Sequence, residues 1–403
     1  MDLADELERR LPPRRPITYV DEPDYYGASR LISGALGLPD APKTLATWMH
    51  GWRHFPVWRE PWFDDPALLV AHLFYNAEPW WAHLTATAEQ AEALAAVGLT
   101  TAVPVGLPFI YTEEPGFERI PGSLLVCPPH ALPHTVHQFK EDDYLADIEP
   151  LREAFPHLVF CLTAYCVTQG LWVDKLRERG IPFVVGAEIS DGTALQRMRN
   201  LFSSFEAMTT GQMGSHVPYA AFCGCRVSIY GAGTELEESV FAKDPFYQAH
   251  PRFLEETVRF SQRASIARHF PDLCVPPTES TRHVRWAQEN LGLAHRRPPE
   301  EIARLFGWAW SPENALWIDS AFSQIAPVLG WHPPAPASEP APAGPSAGEC
   351  RLRRQNAALQ EKLDVLTGKH AIAQAQLTQL QRSPVWPLAK LVFSFHKRRS
   401  PKR

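Results

Sequence analysis

Between Ser123 and Tyr230 the chain alternates short apolar runs with stretches of helical periodicity, and this alternation constrains its folding more than any other feature. SLLVC (123–127), LVFCL (158–162), PFVVG (182–186), EAMTT (206–210) and RVSIY (226–230) read as buried strands, separated by helical patterns at 143–155, 169–180, 192–203 and 216–223. Strands without a polar face must be covered on both sides, so the pattern predicts a parallel, Rossmann-like sheet between layers of helix. Further strands are expected upstream at ITYV (17–20), TLATWMH (44–50), LLVAHLFY (68–75) and TTAVPV (100–105), and mostly helix over 245–330. The fold class that follows is α/β, with two Rossmann-like domains facing each other across a cleft.

Three breaks divide the chain. Gly106–Gly122 is rich in glycine and proline, His332–Gly348 is a proline-alanine stretch with no core-forming residues, and Arg382–Pro387 interrupts a helical tail. The expected organisation is an N-terminal domain over 1–115, a second domain with a helical end over 116–331, and a linker at 332–348. A coiled coil over 349–382 and an amphipathic basic segment over 383–403 would follow. In the coil, Leu352, Leu359, Leu366, Ala373 and Leu380 recur every seven residues, with Asn356, Leu363, His370 and Leu377 as the companion series. Leucine at d with an asparagine at a favours a parallel pair, so a homodimer or another coiled-coil partner is expected.

Residues 349–403 carry 12 Lys/Arg against 3 Asp/Glu, so within a formal net charge of −6 the body 1–348 holds −15. An acidic body argues against nucleic acid as a partner. The basic tail, with Leu388, Leu391, Val392 and Phe395 on one helical face, suits an anionic membrane surface; a helix docked on the protein's own body is the other reading. The acidic start MDLADELERR lacks the pattern of a signal peptide, and no run reaches about 20 apolar residues. Seven cysteines without a paired framework read as buried small hydrophobes in a reducing compartment. The expected location is cytoplasmic, peripheral on the inner membrane.

Several stretches carry chemistry. TTGQMGSHVPYAAFCGCRVSIYG (209–231) places a glycine turn at the carboxyl edge of a strand, where ligands bind in open α/β folds. Gly211 and Gly214 allow close backbone approach, Ser215 or His216 can cap the following helix, and the helix start favours a phosphate group. An ordinary strand-to-helix connection would look the same. CPPHALPHTVH (127–137) sets His130, His134 and His137 on a loop at the same sheet edge, for phosphate contact or as solvated loop residues; Pro133 disfavours zinc. In WMHGWRHFP (48–56), His50 is a candidate general base, with Arg53 and His54 behind it, or else a hydrogen-bonded structural histidine. Glu113, beside Glu114, is a second candidate base at the interdomain break, unless the pair is simply a solvated turn.

RGIPFVVGAEISD followed by TTGQMGSHVPYAAFCGCRVSIYG resembles the nucleotide-sugar half of GT-B glycosyltransferases, especially those of bacterial capsule and lipopolysaccharide synthesis. The resemblance covers roughly residues 120–235, and RSPVWPL resembles the tails of bacterial polysaccharide glycosyltransferases. It implies that Gly214, Ser215, His216 and Tyr219 bind the donor, and that Glu188 and Asp191 contact its base or ribose. SDG at 190–192 departs from the better-known members. No D-x-D occurs in the chain, so the carboxylate pair that would hold a divalent metal on a donor diphosphate is missing, and no metal or cofactor is expected. The expected activity is metal-independent transfer of a sugar from a nucleotide-sugar to a lipid-linked or growing surface polysaccharide. A nucleotide-sugar epimerase and a catalytically silent scaffold are the competing readings.

Overall fold

The computed structural model describes residues 3–308, apart from 18–21, 54–65, 75–80, 132–139, 234–235, 242–243, 245–246 and 249. The chain divides into two units, Met1–Trp331 and His332–Arg403, and all described residues belong to the first. The expected linker, coiled coil and basic tail lie outside the described residues, as do most of ITYV and the histidines His54, His134 and His137.

In chain order, α1 (Leu3–Arg10) and α2 (Ala28–Ala35) precede β1 (Ala46–Trp48), α3 (Pro66–Leu73), β2 (Ala82–Thr85), α4 (Ala88–Ala96) and β3 (Ala102–Pro104). The middle contains β4 (Ile120–Cys127), α5 (Glu141–Ile148), β5 (His157–Leu162), α6 (Ala164–Thr168), α7 (Val173–Glu178) and β6 (Phe183–Val185). Then come α8 (Ala194–Ser204), β7 (Phe205–Thr210), α9 (His216–Phe222) and β8 (Arg226–Ile229). The last stretch holds α10 (Pro251–Ser261), α11 (Arg263–His269), β9 (Thr281–Arg282), α12 (Val284–Asn290) and α13 (Pro299–Leu305). Among the described residues, no helix is long and apolar enough to cross a membrane.

Two sheets form. β1, β2 and β3 make a small parallel sheet in that order, and a six-stranded sheet runs β6-β5-β4-β7-β8-β9, parallel except for β9 against β8. Side-chain alternation explains why the larger sheet needs helices on both faces. Leu125, Cys127, Val159, Met208 and Val227 join one hydrophobic cluster, which includes Leu201, Phe202 and Val217 from α8 and α9. Leu124, Val126, Phe160 and Ala207 join the other, with Tyr144 and Leu145 of α5 and Leu176 of α7. Each such large apolar side chain, once fully buried, contributes about 1.5–3 kcal/mol, which keeps the sheet sandwiched.

The smaller sheet departs from the expected pattern. LLVAHLFY, expected as a strand, lies largely in α3, and β2 (AHLT) supplies the middle strand instead. A run apolar on every side fits a buried helix as well as a buried strand, so periodicity alone cannot separate them. α4 has the start that its sequence specifies. Thr87 caps it through a reciprocal box with Gln90, whose side-chain oxygen also accepts from the Ala86 amide at 3.0 Å. Of the expected helices, 143–155 changes at Pro150 into a 3-10 turn, and 169–180 breaks at Gly170, which takes a left-handed φ of 72°.

Both ends of the described chain cross between the sheets. α1 packs on α8 and β6 of the larger sheet, while α13 packs on α2 and the Phe306 carbonyl accepts from the Leu45 amide just before β1 (2.9 Å). Leu107, after β3, donates its amide to the Leu291 carbonyl (2.9 Å).

Candidate functional site

The strand order of the larger sheet fixes where a ligand can enter. The chain lays down β4, moves outward through β5 and β6, then returns to β7 on the other side of β4. Loops leaving the carboxyl ends of β4 and β7 therefore diverge, which opens a crevice at this switch point. The loop after β4 begins Pro128-Pro129-His130, and the loop after β7 runs Gly211–Ser215. They meet across the crevice: the Gln212 amide nitrogen donates to Nδ1 of His130 at 2.9 Å. With Nδ1 accepting, the neutral His130 ring carries its proton on Nε2, as a donor.

A cavity of about 380 Å³ occupies this crevice and is closed on its other side by the loop after β1. Its larger-sheet wall includes His130, Gln212 and the whole turn Met213–His216. The opposing wall is Tyr26 with His50–Arg53, and Leu162, Leu195, Met198 and Phe202 contribute the apolar part. Among the described residues lining the cavity there is no Asp or Glu, while His50, Arg53, His130 and His216 all reach it. In a body with a formal charge of −15, that is a marked local exception.

The turn after β7 is shaped by what crosses it. Ser215 precedes α9 in helical conformation, and its side chain makes no cap bond; the expected capping role is not the one it has. Its Oγ instead accepts from the Trp52 amide at 3.0 Å. A Cβ on Gly51 would stand 3.1 Å from that Oγ, so glycine lets the two loops approach. His216 opens α9 and turns its Nε2 back to the Thr210 hydroxyl at 3.0 Å, across Gly214, where a Cβ would stand 3.0 Å from the ring. Tyr219 stacks on Phe109 with centroids 4.0 Å apart, and its hydroxyl donates to the His50 carbonyl at 3.1 Å. Burial, with Tyr26 close by, pushes the Tyr219 pKa well above that of a free phenol, so it remains a donor.

His50 sits between two tyrosine rings, with the Tyr25 ring edge-on at 5.0 Å and the Tyr26 ring tilted at 6.1 Å. Tyr26 holds a left-handed φ of 59°, rare for a bulky residue, and Gly27 follows at 82°. A Cβ on Gly27 would lie 2.1 Å from the Gly192 carbonyl oxygen, so the backbone of this wall rests directly on the loop after β6. His130 is solvent-exposed at the cavity, and partial desolvation of its ring by nearby protein atoms lowers its pKa from the ordinary imidazole value.

Of the residues singled out in the sequence, His50, His130, Gly214, Ser215, His216 and Tyr219 converge on this cavity, together with Arg53. Glu113, Glu188 and Asp191 do not line it. Asp191 is buried and holds the N-terminal segment: its Oδ1 accepts from the Arg15 amide and from the amide and hydroxyl of Thr193, each at 2.9 Å. Glu188 accepts from the Ser190 hydroxyl at 3.2 Å. Glu113 is exposed, and its backbone pairs with the Gln196 side chain. His134 lies outside the described residues. Tyr26 and Gln212 were not singled out; a Tyr-Tyr-Gly triplet ahead of a helix was the available signal for the first.

No protein-family model matches the chain, and no curated protein matches it. Among solved structures, that of the wall teichoic acid polymerase TagF is similar over 72% of this chain and 67% of its own, at 10% identity and a TM-score of 0.25.

Proposed function

We propose that the chain is a GT-B-type glycosyltransferase that moves a sugar from a nucleotide-sugar to a saccharide acceptor, lipid-linked or growing, in surface polysaccharide synthesis. The observation that carries the proposal is the cavity at the switch point, with His50, Arg53, His130 and His216 on its walls and no Asp or Glu among the described residues that line it. Such a lining favours a ligand whose reacting end is anionic, and the apolar part made by Leu162, Leu195 and Met198 suits the flat face of a base.

In this reading the donor diphosphate lies against Gly214, Ser215, His216 and His130, with Arg53 completing the positive side. The acceptor oxygen forms a bond to the anomeric carbon as the bond from that carbon to the phosphate oxygen breaks. The acceptor proton passes to His50, and the negative charge left on the phosphate meets the histidines and Arg53. Glu188 and Asp191 have no part in donor binding here, nor Glu113 in proton transfer, because none of them reaches the cavity. In this reading the leaving charge is neutralised by side chains and not by a divalent cation. A coiled-coil partner and an anionic membrane surface remain proposals for residues 349–403.

The test is a thermal-shift screen of UDP-, GDP-, dTDP- and CMP-sugars against the full chain, followed by release of the nucleotide in the presence of acceptor. A ligand at 100-fold over its Kd adds about 2.7 kcal/mol of stability. Response to one nucleotide class, lost when Ser215→Ala and His216→Ala are combined, supports the proposal. Response without turnover on any acceptor supports a binding scaffold, and no response to any of them removes the proposal.

A further inference from the structure

The cavity is also lined by three thiols that the proposed transfer does not use: Cys127, Cys161 and Cys166. Cys161 and Cys166 are near in sequence, but the strand register selects a different pair. β4 and β5 run parallel with Val126 opposite Phe160, which sets Cys127 beside Cys161 on the next rung. Both belong with the same hydrophobic cluster, on the face toward α8. Cys166 joins the opposite cluster, and its sulfur accepts from the Ala131 amide at 3.4 Å. The Cys161 side chain is close enough to Cys127 to raise its pKa.

Neighbouring strands lie about 4.8 Å apart, inside the Cα separation of about 4.4–6.8 Å that a disulfide requires. Cβ atoms held at that same spacing are slightly far for a relaxed bridge, so the bond would be strained and readily reduced. Gly186 leaves room at the sulfur: a Cβ there would stand 2.6 Å from Cys161 Sγ. Cys161 is half-buried, while Cys127 is buried, and burial beside a second thiol raises the Cys127 pKa well above the ordinary value. Cys161 is therefore the sulfur an oxidant reaches first.

We propose that Cys127 and Cys161 form an oxidisable dithiol in the cavity wall, converted by a peroxide into a reversible disulfide that ties the ends of β4 and β5 together. The Cys161 thiolate attacks one peroxide oxygen, the S–O bond forms as the O–O bond breaks, and hydroxide leaves to take up the thiol proton as water. Cys127 sulfur then attacks the sulfenic sulfur. The S–S bond forms, the S–O bond breaks, and the Cys127 proton leaves with that oxygen as a second water. Both thiols are oxidised and one peroxide is reduced, so atoms and electrons balance. Three residues after Cys127 stands His130, so the bridge restrains the loop that carries it. The proposal stands on strand register and does not depend on the transferase reading.

The test is a non-reducing peptide map of the full chain after hydrogen peroxide treatment and quenching. A cross-linked peptide joining Cys127 to Cys161, lighter by two hydrogens and split by dithiothreitol, is expected. It should be absent from Cys161→Ser and retained in Cys166→Ser. Because the map is read on the unsubstituted chain first, a variant that folds poorly does not obscure the result. A Cys161–Cys166 link, irreversible oxidation of Cys161 with Cys127 still reduced, or no link at peroxide excess overturns the proposal.

Discussion

The two walls of the cavity are built differently. The wall from the larger sheet is held from within: His130 bonds to Gln212, His216 to Thr210, and the strands beneath are covered on both faces. The wall from the smaller sheet rests on strands of three and four residues and leans on its neighbours. Trp52 borrows Ser215 as an acceptor and Asn290 for its indole, the His50 carbonyl borrows the Tyr219 hydroxyl, and Gly27 lies on Gly192. One wall thus presents a fixed constellation, and the other is positioned by the first. Under the proposed transferase reading, that division gives a fixed site for the leaving group and a second surface set by a few bonds.

The comparison breaks most readily at Gly27. Alanine there meets the Gly192 carbonyl and must also hold a left-handed φ of 82°, so Gly27→Ala should cost about 2–5 kcal/mol in urea unfolding. A loss below about 1 kcal/mol would mean that the two loops are not pressed together. Next, Arg53→Ala removes the one arginine or lysine among the described residues that line the cavity. Nucleotide affinity should fall about 10- to 100-fold, the equivalent of losing a charged hydrogen bond of about 1.5–3 kcal/mol.

The histidines sharpen the contrast through pH. His130 has a lowered pKa in the free protein, so it is neutral near pH 7, and an anion favours its protonated form. Binding therefore takes up a proton, and affinity should rise as pH falls, by up to about tenfold per pH unit for one proton. Without ligand the sign reverses: the unfolded chain binds that proton more readily, so His130's contribution to stability is lost as pH falls through its unfolded value of about 6.5. Opposite pH slopes for binding and for stability of the free chain are the signature, read by calorimetry and by melting, and His130→Ala should remove both contributions. The smallest effect belongs to the link itself: Tyr219→Phe should cost about 1 kcal/mol of stability, with the stacking on Phe109 kept.

Much of the larger sheet was legible because runs such as SLLVC and LVFCL are apolar on successive residues and too short for an ordinary helix, the pattern of a doubly covered strand. In the smaller sheet β1 and β3 fall within TLATWMH and TTAVPV, but β2 was not legible, since it is four residues long with a buried histidine in it and the apolar run before it forms α3. In the site, the turn at Gly214–His216 and the loop at His130 could be placed because strand ends locate them. The partners of the carboxylates could not: Asp191 is occupied by the backbone of Arg15, a contact no local pattern encodes. Cys127 and Cys161 illustrate the same limit, since it is pairing register, and not spacing, that brings them together.

The most direct measurement is titration calorimetry of the full chain with UDP, GDP, dTDP and CMP at pH 6 and pH 8, beside Arg53→Ala and His130→Ala. The account expects one nucleotide to bind, more tightly at pH 6, and more weakly in both variants. Binding of none, or binding indifferent to pH and to both substitutions, would contradict a cavity built for an anionic leaving group.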